Sequence, residues 1–366
     1  MRQILNLEQF RSVSRAKELL ESINRTKESF CFMEVCGTHT VQLYKTGIKA
    51  GLTKRIRLIS GPGCPVCVTS PIDIDRAIAI AKEKNVIFCC FGDMIRVPGS
   101  RESLETVRAQ YDAAVKVIYS PLEALRFAKE NPAKKVVLFG VGFETTIPAF
   151  AAVLMRAQKE KLKNLFIFPV FKLIPPAIRA LLESSGCAVD GFILPGHVSA
   201  IIGTLPYHFI AEEFKKPAVI TGFEALDLLY SIVALMTMVR EGKPRIENEY
   251  RRSVRTDGNV AALKVINTVF EETDVSWRGL GVIKKSGLGL KPSFRHFDVA
   301  RIVKSKVSAP KENPHCLCAN VLKGEKEPED CSLFGRKCLP EHPVGPCMVS
   351  MEGTCSAHYT FSKTHA

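Results

Sequence analysis

The sequence predicts an α/β fold, in which two similar lobes, each built on a parallel β-sheet, precede a small cysteine-rich iron–sulfur C-terminal domain. Three observations support this. Short apolar segments alternate with helical segments from Phe30 to about Met238. Those apolar segments carry few polar residues, as is typical of strands that are covered on both faces. After Ser308 the composition changes to Pro, Cys, Glu and Lys, so this tail has little apolar material for a core.

Eight apolar segments rich in β-branched and aromatic residues predict the strands. In order they are FCFMEV (30–35), RIRLIS (55–60), NVIFCCFG (85–92), VKVIYS (115–120), KKVVLFG (134–140), NLFIFPV (164–170), DGFILPG (190–196) and PAVITG (217–222). Between them, Ser70 before Pro71 and Ser120 before Pro121 each place an N-cap serine ahead of a proline at the first helical position. Glu123 completes a capping box with Ser120.

A chain of 366 residues is long enough for two or three domains. The segments GFETT (142–146) and GFEAL (222–226) each follow a strand and open a helix, which suggests two related lobes. The charged, turn-rich segment 241–259 suggests a boundary. We therefore predict lobes at 1–131 and 132–240 and a third domain at 241–366.

The net charge of +14 favours an acidic partner. The basic residues are spread along the chain, and the short basic patches lack interleaved aromatic residues, so we expect no nucleic-acid partner. The polar N-terminus lacks the apolar segment of a signal peptide, and no apolar run is long enough to cross a bilayer, so we expect a cytoplasmic protein without membrane association. In that compartment, 13 cysteines indicate metal or redox chemistry rather than structural disulfides.

Polar or glycine-rich loops follow five of the predicted strands. They are CGTH (36–39), GPGCPVC (61–67), GDMIRVPGS (92–100), GVGFETT (140–146) and PGHVS (195–199). Ligands of open parallel sheets bind beyond the carboxyl ends of the strands. The five loops therefore predict one shared site.

Cys64 and Cys67 form a C-x-x-C between a strand and a helix, where thiolates serve as nucleophile, electron donor or soft metal ligand. A thioredoxin-like motif opens its helix directly, whereas Ser70 indicates a helix start three residues later. Cys36, on a neighbouring strand end, offers a third thiol, and three thiolates suit Fe(II), Zn or Cu(I).

His39 and His197 follow strand ends, where they could transfer protons or hydrogen-bond an anionic ligand. Glu144 could act as an acid or base, or cap its own helix. The segment 140–145 has only two glycines of a dinucleotide fingerprint, so a nucleotide site is weakly supported. Three other cysteines are expected to be small buried residues without chemistry, namely Cys89, Cys90 and Cys187.

The tail holds six cysteines within forty residues and has little core, which indicates a metal that holds the segment together. They are Cys316, Cys318, Cys331, Cys338, Cys347 and Cys355. Two close C-x-x-C pairs, as zinc sites usually have, are lacking, and the wide spacings favour an iron–sulfur cluster. Zinc and disulfides remain the alternatives.

With CGTH, GPGCPVC, GFETT, PGHVS and PVGPCMVSMEGTCSAHY in this order, the chain resembles the HypD family of [NiFe]-hydrogenase maturation proteins over essentially its full length. The resemblance implies a scaffold on which the Fe(CN)2(CO) group of the hydrogenase is built. It implies a complex with a HypC-type chaperone and cyanide supplied by a HypE-type partner. It also implies a [4Fe-4S] cluster in the tail.

The resemblance assigns the iron carrying CN and CO to Cys36, with Cys64 and Cys67 as redox-active thiols that can also bind iron. The cluster ligands map to Cys318, Cys331, Cys338 and Cys355, with Cys316 and Cys347 as alternatives; Ala319 replaces a glycine common in relatives. The cluster would relay electrons to the thiol pair. The competing functions are a cluster-linked dithiol/disulfide oxidoreductase and a zinc-containing binding module.

Overall fold

A computed structural model describes residues 10–184, 188–303, 307 and 312–362. Two parallel sheets, an antiparallel hairpin and a cysteine-rich C-terminal region make up the described chain, and the predicted fold class is confirmed. Within these ranges, no helix has the length and apolar character needed to cross a membrane.

All eight predicted strands are present, and three more follow them. The strands are β1 (Phe30–Glu34), β2 (Ile56–Ser60), β3 (Val86–Cys90), β4 (Ala114–Val117), β5 (Lys135–Gly140), β6 (Leu165–Pro169), β7 (Gly191–Pro195), β8 (Ala218–Thr221), β9 (Ile246–Asn248), β10 (Phe270–Trp277) and β11 (Gly281–Leu290). Strands β3, β7 and β8 are buried on both faces, which explains why they are apolar throughout, whereas the edge strands β4 and β9 are partly exposed and carry charged residues.

Helices connect most of the strands. They are α1 (Val13–Asn24), α2 (Gly37–Lys45), α3 (Ile48–Gly51), α4 (Pro65–Val68), α5 (Pro71–Ala81), α6 (Gly92–Ile95), α7 (Leu104–Gln110), α8 (Leu122–Glu130), α9 (Ile147–Lys159), α10 (Ile174–Glu183), α11 (Gly196–Ile202), α12 (His208–Glu212), α13 (Ala225–Glu241), α14 (Val260–Val269), α15 (Cys318–Leu322), α16 (Pro346–Val349) and α17 (Thr354–Ser362). Ser70 caps α5 as predicted by accepting the Asp73 N–H. Helix α8 begins at Leu122, one residue later than predicted, and Glu123 accepts the Ser120 N–H at 3.0 Å.

The strand pairing divides the chain differently from the predicted boundary at residue 131. One sheet has the order β2-β1-β7-β8-β9, and the other has the order β4-β3-β5-β6. All pairs in both sheets are parallel. The four-stranded unit is therefore inserted between β2 and β7, because short βα connections inside it keep its strands adjacent.

The charged segment after residue 240 does not separate the second lobe from a third domain as predicted, because β9 lies within it and pairs with β8. Helix α14 then packs against α9, and β10 and β11 form an antiparallel hairpin. The Phe270 ring on this hairpin lies 5.4 Å from the Phe171 ring of the four-stranded unit. The predicted third domain thus begins with β9 of the five-stranded sheet, and the α14 helix and hairpin that follow pack against the four-stranded unit.

The largest core contains residues from both sheets and from the C-terminal region. Phe192 of β7, Phe88 of β3, Trp277 of the hairpin and Cys347 of α16 all belong to it. A shared core of this kind holds the two sheets and the cysteine-rich region in fixed relative positions.

Within this interior lies a lysine without a hydrogen-bond partner. Lys172 is 1% exposed, and its Nζ atom lies 3.9 Å from the nearest carboxylate oxygen, Oδ2 of Asp73. Burial lowers the pKa of Lys172 to about 8, while Asp73 partly offsets that effect. A charged ammonium in this position lowers the stability of the folded chain.

We expect Lys172→Met to raise the free energy of unfolding at pH 7 by up to roughly 3 kcal/mol. The pKa of Lys172 is lower in the folded chain than in the unfolded chain, so the unfolded chain binds more protons between about pH 8 and pH 10.5. The free energy of unfolding of the parent therefore rises with pH over that range. Denaturant unfolding from pH 7 to pH 10 should therefore show the advantage of the variant shrinking. Lys134→Met, at an exposed position, is the control. Parallel stability curves for parent and Lys172→Met would contradict the assignment.

Candidate functional site

Three of the five predicted loops meet at the carboxyl edge of the five-stranded sheet. CGTH follows β1, GPGCPVC follows β2 and PGHVS follows β7. The connection after β1 leads to β2 on one side, and the connection after β7 leads to β8 on the other side. The order therefore reverses between β1 and β7, which is where parallel sheets form ligand sites.

The prediction of one shared edge is wrong for the other two loops. GDMIRVPGS follows β3 and GVGFETT follows β5, and both strands belong to the four-stranded sheet. The β3 loop instead contacts the C-terminal region, where Ser350 Oγ donates to Asp93 Oδ2 at 2.8 Å. Sequence alone does not reveal that β7 returns to pair with β1.

The loop after β2 lies directly on the loop after β1. A side chain at Gly63 would place its Cβ 2.2 Å from the Cys36 backbone nitrogen, so only glycine allows this approach. The Gly37 N–H donates to the Gly63 carbonyl at 2.9 Å and fixes the contact. The glycines of GPGCPVC therefore bring the C-x-x-C segment against Cys36.

Cys36 is the N-cap residue of α2, and its thiol is buried. Burial raises the pKa of the Cys36 thiol to about 12, although backbone N–H groups of His39 and Thr38 donate hydrogen bonds that favour the thiolate. The Cys36 N–H donates to Glu34 Oε2 at 3.0 Å. A thiol here keeps its proton in water-free surroundings unless a cation replaces it.

Two histidines flank the ring of Phe223, in the GFEAL segment after β8. The His39 ring lies 4.8 Å from that ring, and the His197 ring stacks on it at 3.9 Å. His39 is fully buried, and neither ring nitrogen has a hydrogen bond, although the Thr221 and Gly222 carbonyls lie nearby. Burial lowers the pKa of His39 to about 3, so its ring is neutral. His197 is exposed at the edge of the site.

Sequence reasoning missed Glu352, in the loop between α16 and α17. The Thr38 hydroxyl donates to Glu352 Oε1 at 2.7 Å, and a side chain at Gly37 would place its Cβ 2.6 Å from the Glu352 Cβ. The Glu352 carboxylate acts on the pKa of Cys36, where it is a lesser cause than burial, and on the pKa of His197, which burial lowers and Glu352 partly restores. The tail motif SMEGTC contained this acid, but nothing in the sequence indicated that it reaches α2.

Glu144 is buried in the loop after β5, and it does not cap its own helix. Its Oε1 atom accepts the Ile174 N–H at 2.9 Å, at the start of α10, and its Oε2 atom has no partner. Burial raises the pKa of Glu144 to about 7. Burial raises the pKa of Tyr207, and the nearby charges of this carboxylate and of Cys36 add to that effect.

Cys64 and Cys67 are buried at the ends of one helical turn. Cys64 is the N-cap of α4 and accepts the Cys67 N–H at 3.3 Å, so the pair opens a short helix directly, contrary to the expectation from Ser70. Burial raises the pKa of Cys64. Burial acts in the same direction on Cys67, but hydrogen bonds from Cys347 and Cys64 prevail and lower the Cys67 pKa to about 6. Both thiols are free.

The C-terminal region places further cysteine thiols beside the Cys64–Cys67 pair. The Cys347 thiol, on α16, lies within hydrogen-bond reach of the thiols of Cys318, Cys355 and Cys67, and the Sγ atoms of Cys318 and Cys347 are 2.7 Å apart. Helix α16 packs against α4. The four thiols of Cys64, Cys67, Cys347 and Cys318 therefore form a continuous path from the sheet edge into the C-terminal region.

The remaining four tail cysteines pack around a small apolar cluster that includes Leu333 and Met348, and two of the four also pack against the main core. They are Cys316, Cys331, Cys338 and Cys355. All six tail cysteines line one small cavity. Among the described residues, no group of three or more Cys, His, Asp or Glu side chains is close enough to hold a single metal ion. The ligands of a cluster bind separate irons and lie farther apart than those of one ion.

Other cysteines lie apart from this arrangement. Cys89 and Cys90 are completely buried in β3, as predicted, and burial raises the pKa of each to about 12. Cys187 lies outside the described residues.

Comparison with known proteins identifies relatives of nearly the full chain. A family model for HypD, described as "Hydrogenase formation hypA family", matches residues 13–362. The chain is 43% identical over 345 residues to hydrogenase maturation factor HypD2 of Bradyrhizobium diazoefficiens, covering 92% of this chain and 90% of that protein. It is 40% identical to hydrogenase maturation factor HypD of Escherichia coli, covering 97% of each. It is 41% identical to hydrogenase expression/formation protein HupD of Azotobacter chroococcum, covering 98% of this chain and 97% of that protein.

We expect Gly63→Ala to lower the free energy of unfolding by about 1–3 kcal/mol, because the loop after β2 must move away from Cys36. Denaturant unfolding under reducing conditions measures the change. Gly92→Ala is the matched control, since the glycine also follows a strand but its Cβ would meet only Val117, at 3.8 Å. Equal stability losses in the two variants would show that the Gly63 contact is not required.

Proposed function

The chain belongs to the HypD family of hydrogenase maturation factors, and from that premise we propose that it is the scaffold on which the Fe(CN)2(CO) group is assembled. Cys36 binds the iron, and Cys64 and Cys67 act as a redox-active pair beside it. The observation that carries this proposal is the contact of Gly63 with Cys36, which brings three buried thiols to one sheet edge.

The surroundings of Cys36 suit an iron cargo. Its sulfur accepts two backbone N–H groups at the start of α2, and these stabilise the thiolate once iron replaces the proton. Low-spin iron that carries cyanide and carbonyl is held well by soft thiolate ligands. A cysteine from a HypC-type chaperone would complete the coordination.

Polar groups without partners lie around that position. The buried ring of His39 can offer one N–H and one acceptor nitrogen to a cyanide ligand or its precursor. His197 lies at the exposed edge, where a HypE-type cyanide donor would approach. The free oxygen of Glu144 can hold a proton, because burial raises the pKa of this carboxyl to about 7.

The row of thiols supports two-electron exchange with the Cys64–Cys67 pair. When that pair is a disulfide, the Cys347 thiolate can attack Cys67, which forms a Cys347–Cys67 bond and releases Cys64 as a thiolate. Cys318 then attacks Cys347, which releases Cys67 and leaves a Cys318–Cys347 disulfide. The 2.7 Å separation of the Cys318 and Cys347 sulfurs supports the second step. Two electrons thereby reach the sheet edge.

The four other tail cysteines fit an iron–sulfur cluster, because they surround one apolar cluster and provide one thiolate for each iron. The proposed ligands are therefore Cys316, Cys331, Cys338 and Cys355. This set differs from the sequence-based one, since Cys318 pairs with Cys347 and leaves Cys316 as the fourth ligand. When bound, such a cluster supplies single electrons.

The net charge of +14 supports docking of acidic maturation partners, and such association weakens as salt is added. Free thiols of this kind require a reducing compartment, so a cytoplasmic location remains our prediction. A cluster-linked dithiol/disulfide oxidoreductase is the second candidate. The thiol row favours it, but that function gives no role to Cys36.

We expect the protein, purified without oxygen after co-expression with its chaperone, to show infrared bands of iron-bound CN and CO. Cys36→Ala should lose these bands, because the iron loses its thiolate. Cys89→Ala, at a buried cysteine far from the edge, should keep them. Bands that persist in Cys36→Ala would exclude Cys36 as the ligand. Visible absorbance in the parent without any such band would favour the oxidoreductase.

We expect Cys316→Ser to lose iron and acid-labile sulfide, whereas Cys318→Ser keeps both. The two positions lie two residues apart, just before α15 and at its first residue, so each serves as the control for the other. Elemental analysis and visible absorbance of the purified variants measure the difference. The reverse result would restore Cys318 as the cluster ligand.

A further inference from the structure

Strand β1 ends on a buried acid, two residues before the proposed iron ligand. Glu34 is 2% exposed, and its neighbours in the chain, Met33 and Val35, are buried apolar residues. A carboxylate costs free energy where water is excluded, unless hydrogen bonds replace the lost solvation. The maturation function proposed above assigns no role to this side chain.

The two oxygens of Glu34 hold the first turn of α2. Oε2 accepts the Cys36 N–H at 3.0 Å, and Oε1 accepts the hydroxyl of Thr40. Cys36 is the N-cap residue of this helix, and Thr40 lies in its first turn. One side chain therefore ties the helix start to the strand that precedes it.

Glu34 also connects this turn to the loop after β2. Its main-chain carbonyl accepts the Gly61 N–H at 2.7 Å, at the start of GPGCPVC. Ser60 lies opposite Glu34 in the register of β1 and β2, and the Ser60 side chain hydrogen-bonds the carboxylate. The strand end, the helix start and the second thiol loop are thus joined at one residue.

The hydrogen bond to Cys36 bears directly on the direction of its sulfur. The N–H of an N-cap residue lies outside the helical hydrogen-bond pattern, so a buried one needs a side chain as its acceptor. The Cys36 nitrogen and the Cβ that carries the sulfur are bonded to the same Cα. Fixing the N–H therefore fixes the peptide plane from which the side chain of Cys36 projects.

We propose that Glu34 is the positioning residue of the iron site: its carboxylate fixes the peptide of Cys36 and thereby the direction from which the Cys36 sulfur meets the iron. The inference rests on the proposed function, since it takes Cys36 as the iron ligand. Glu34 acts through Cys36, from the strand side, whereas Gly63 sets how closely the second thiol loop approaches.

Three substitutions of Glu34 differ in which of these bonds they keep. Glu34→Met keeps the length of the side chain but offers no oxygen to Cys36. Glu34→Asp keeps the acid but is one methylene shorter, so it cannot reach both Cys36 and Thr40. Glu34→Gln keeps an oxygen for the Cys36 N–H, and its amide donates to Thr40, whose hydroxyl can turn to the Cys36 carbonyl, 3.4 Å away.

The test uses the full-length protein, purified without oxygen after co-expression with its chaperone, and records the infrared spectrum of each variant. The cargo carries one CO, so a sulfur held in one orientation gives one narrow CO band. We expect this band to broaden or split in Glu34→Met and Glu34→Asp, because the sulfur then takes more than one orientation. Glu34→Gln should keep a single narrow band.

Glu123→Met is the matched control. Glu123 also accepts two N–H groups after a strand end, those of Tyr119 and Ser120, but it follows β4 of the other sheet. This variant should lower the free energy of unfolding and keep the narrow band, which separates positioning from a general loss of stability.

A narrow band in Glu34→Met and Glu34→Asp would overturn the inference and leave the proposed function intact. If Glu34→Met does not fold, Glu34→Asp alone decides. A band as broad in Glu34→Gln as in Glu34→Asp would also overturn the inference, because the hydrogen bond would then not be the cause. If the parent shows no CO band, the proposed function fails, and the inference fails with it.

Discussion

The backbone of Gly63 lies against the backbone of Cys36, and the rest of the site depends on that contact. Register alone brings β1 and β2 side by side, with Glu34 opposite Ser60 at their ends. Beyond those ends the two loops would be forced apart if Gly63 carried a side chain. Because Gly63 has none, the C-x-x-C turn begins one residue away from a direct contact with the N-terminus of α2. The buried thiols on the two loops are thereby held by main chain rather than by mobile side chains.

The C-terminal region completes the site instead of forming a separate unit. Helix α17 packs against α2, and α15 and α16 pack against α4, so the segment contacts both loops that carry the thiols. Glu352 reaches Thr38 because Gly37 leaves space for it. A segment with so few apolar residues has a limited core of its own, and these contacts show where much of its burial comes from.

The fold class and all eight parallel strands could be predicted from the sequence, because buried strands are marked by local composition. The partners of those strands could not, since the pairing of β1 with β7 joins residues more than 150 positions apart and leaves no local signal. Local composition correctly predicts that five site residues follow strand ends, namely Cys36, His39, Cys64, Cys67 and His197. It does not show which sheet a strand joins, so Glu144 is predicted at the wrong sheet edge. Glu352 contacts Thr38, which is more than 300 positions away in the chain, and the neighbours of Glu352 in sequence give no indication of this contact.

The insertion of one sheet into the other also constrains the order of folding. The four-stranded unit is contiguous in the chain, so its strands pair through short-range contacts. Strand β1, in contrast, has β2 nearby but must wait for β7, and its second edge stays unpaired until residues beyond 190 have been synthesised. An apolar strand with an open edge is prone to pair with other chains. The central strand that positions Cys36 is thus among the last to be enclosed, and a nascent chain interrupted before β7 exposes it.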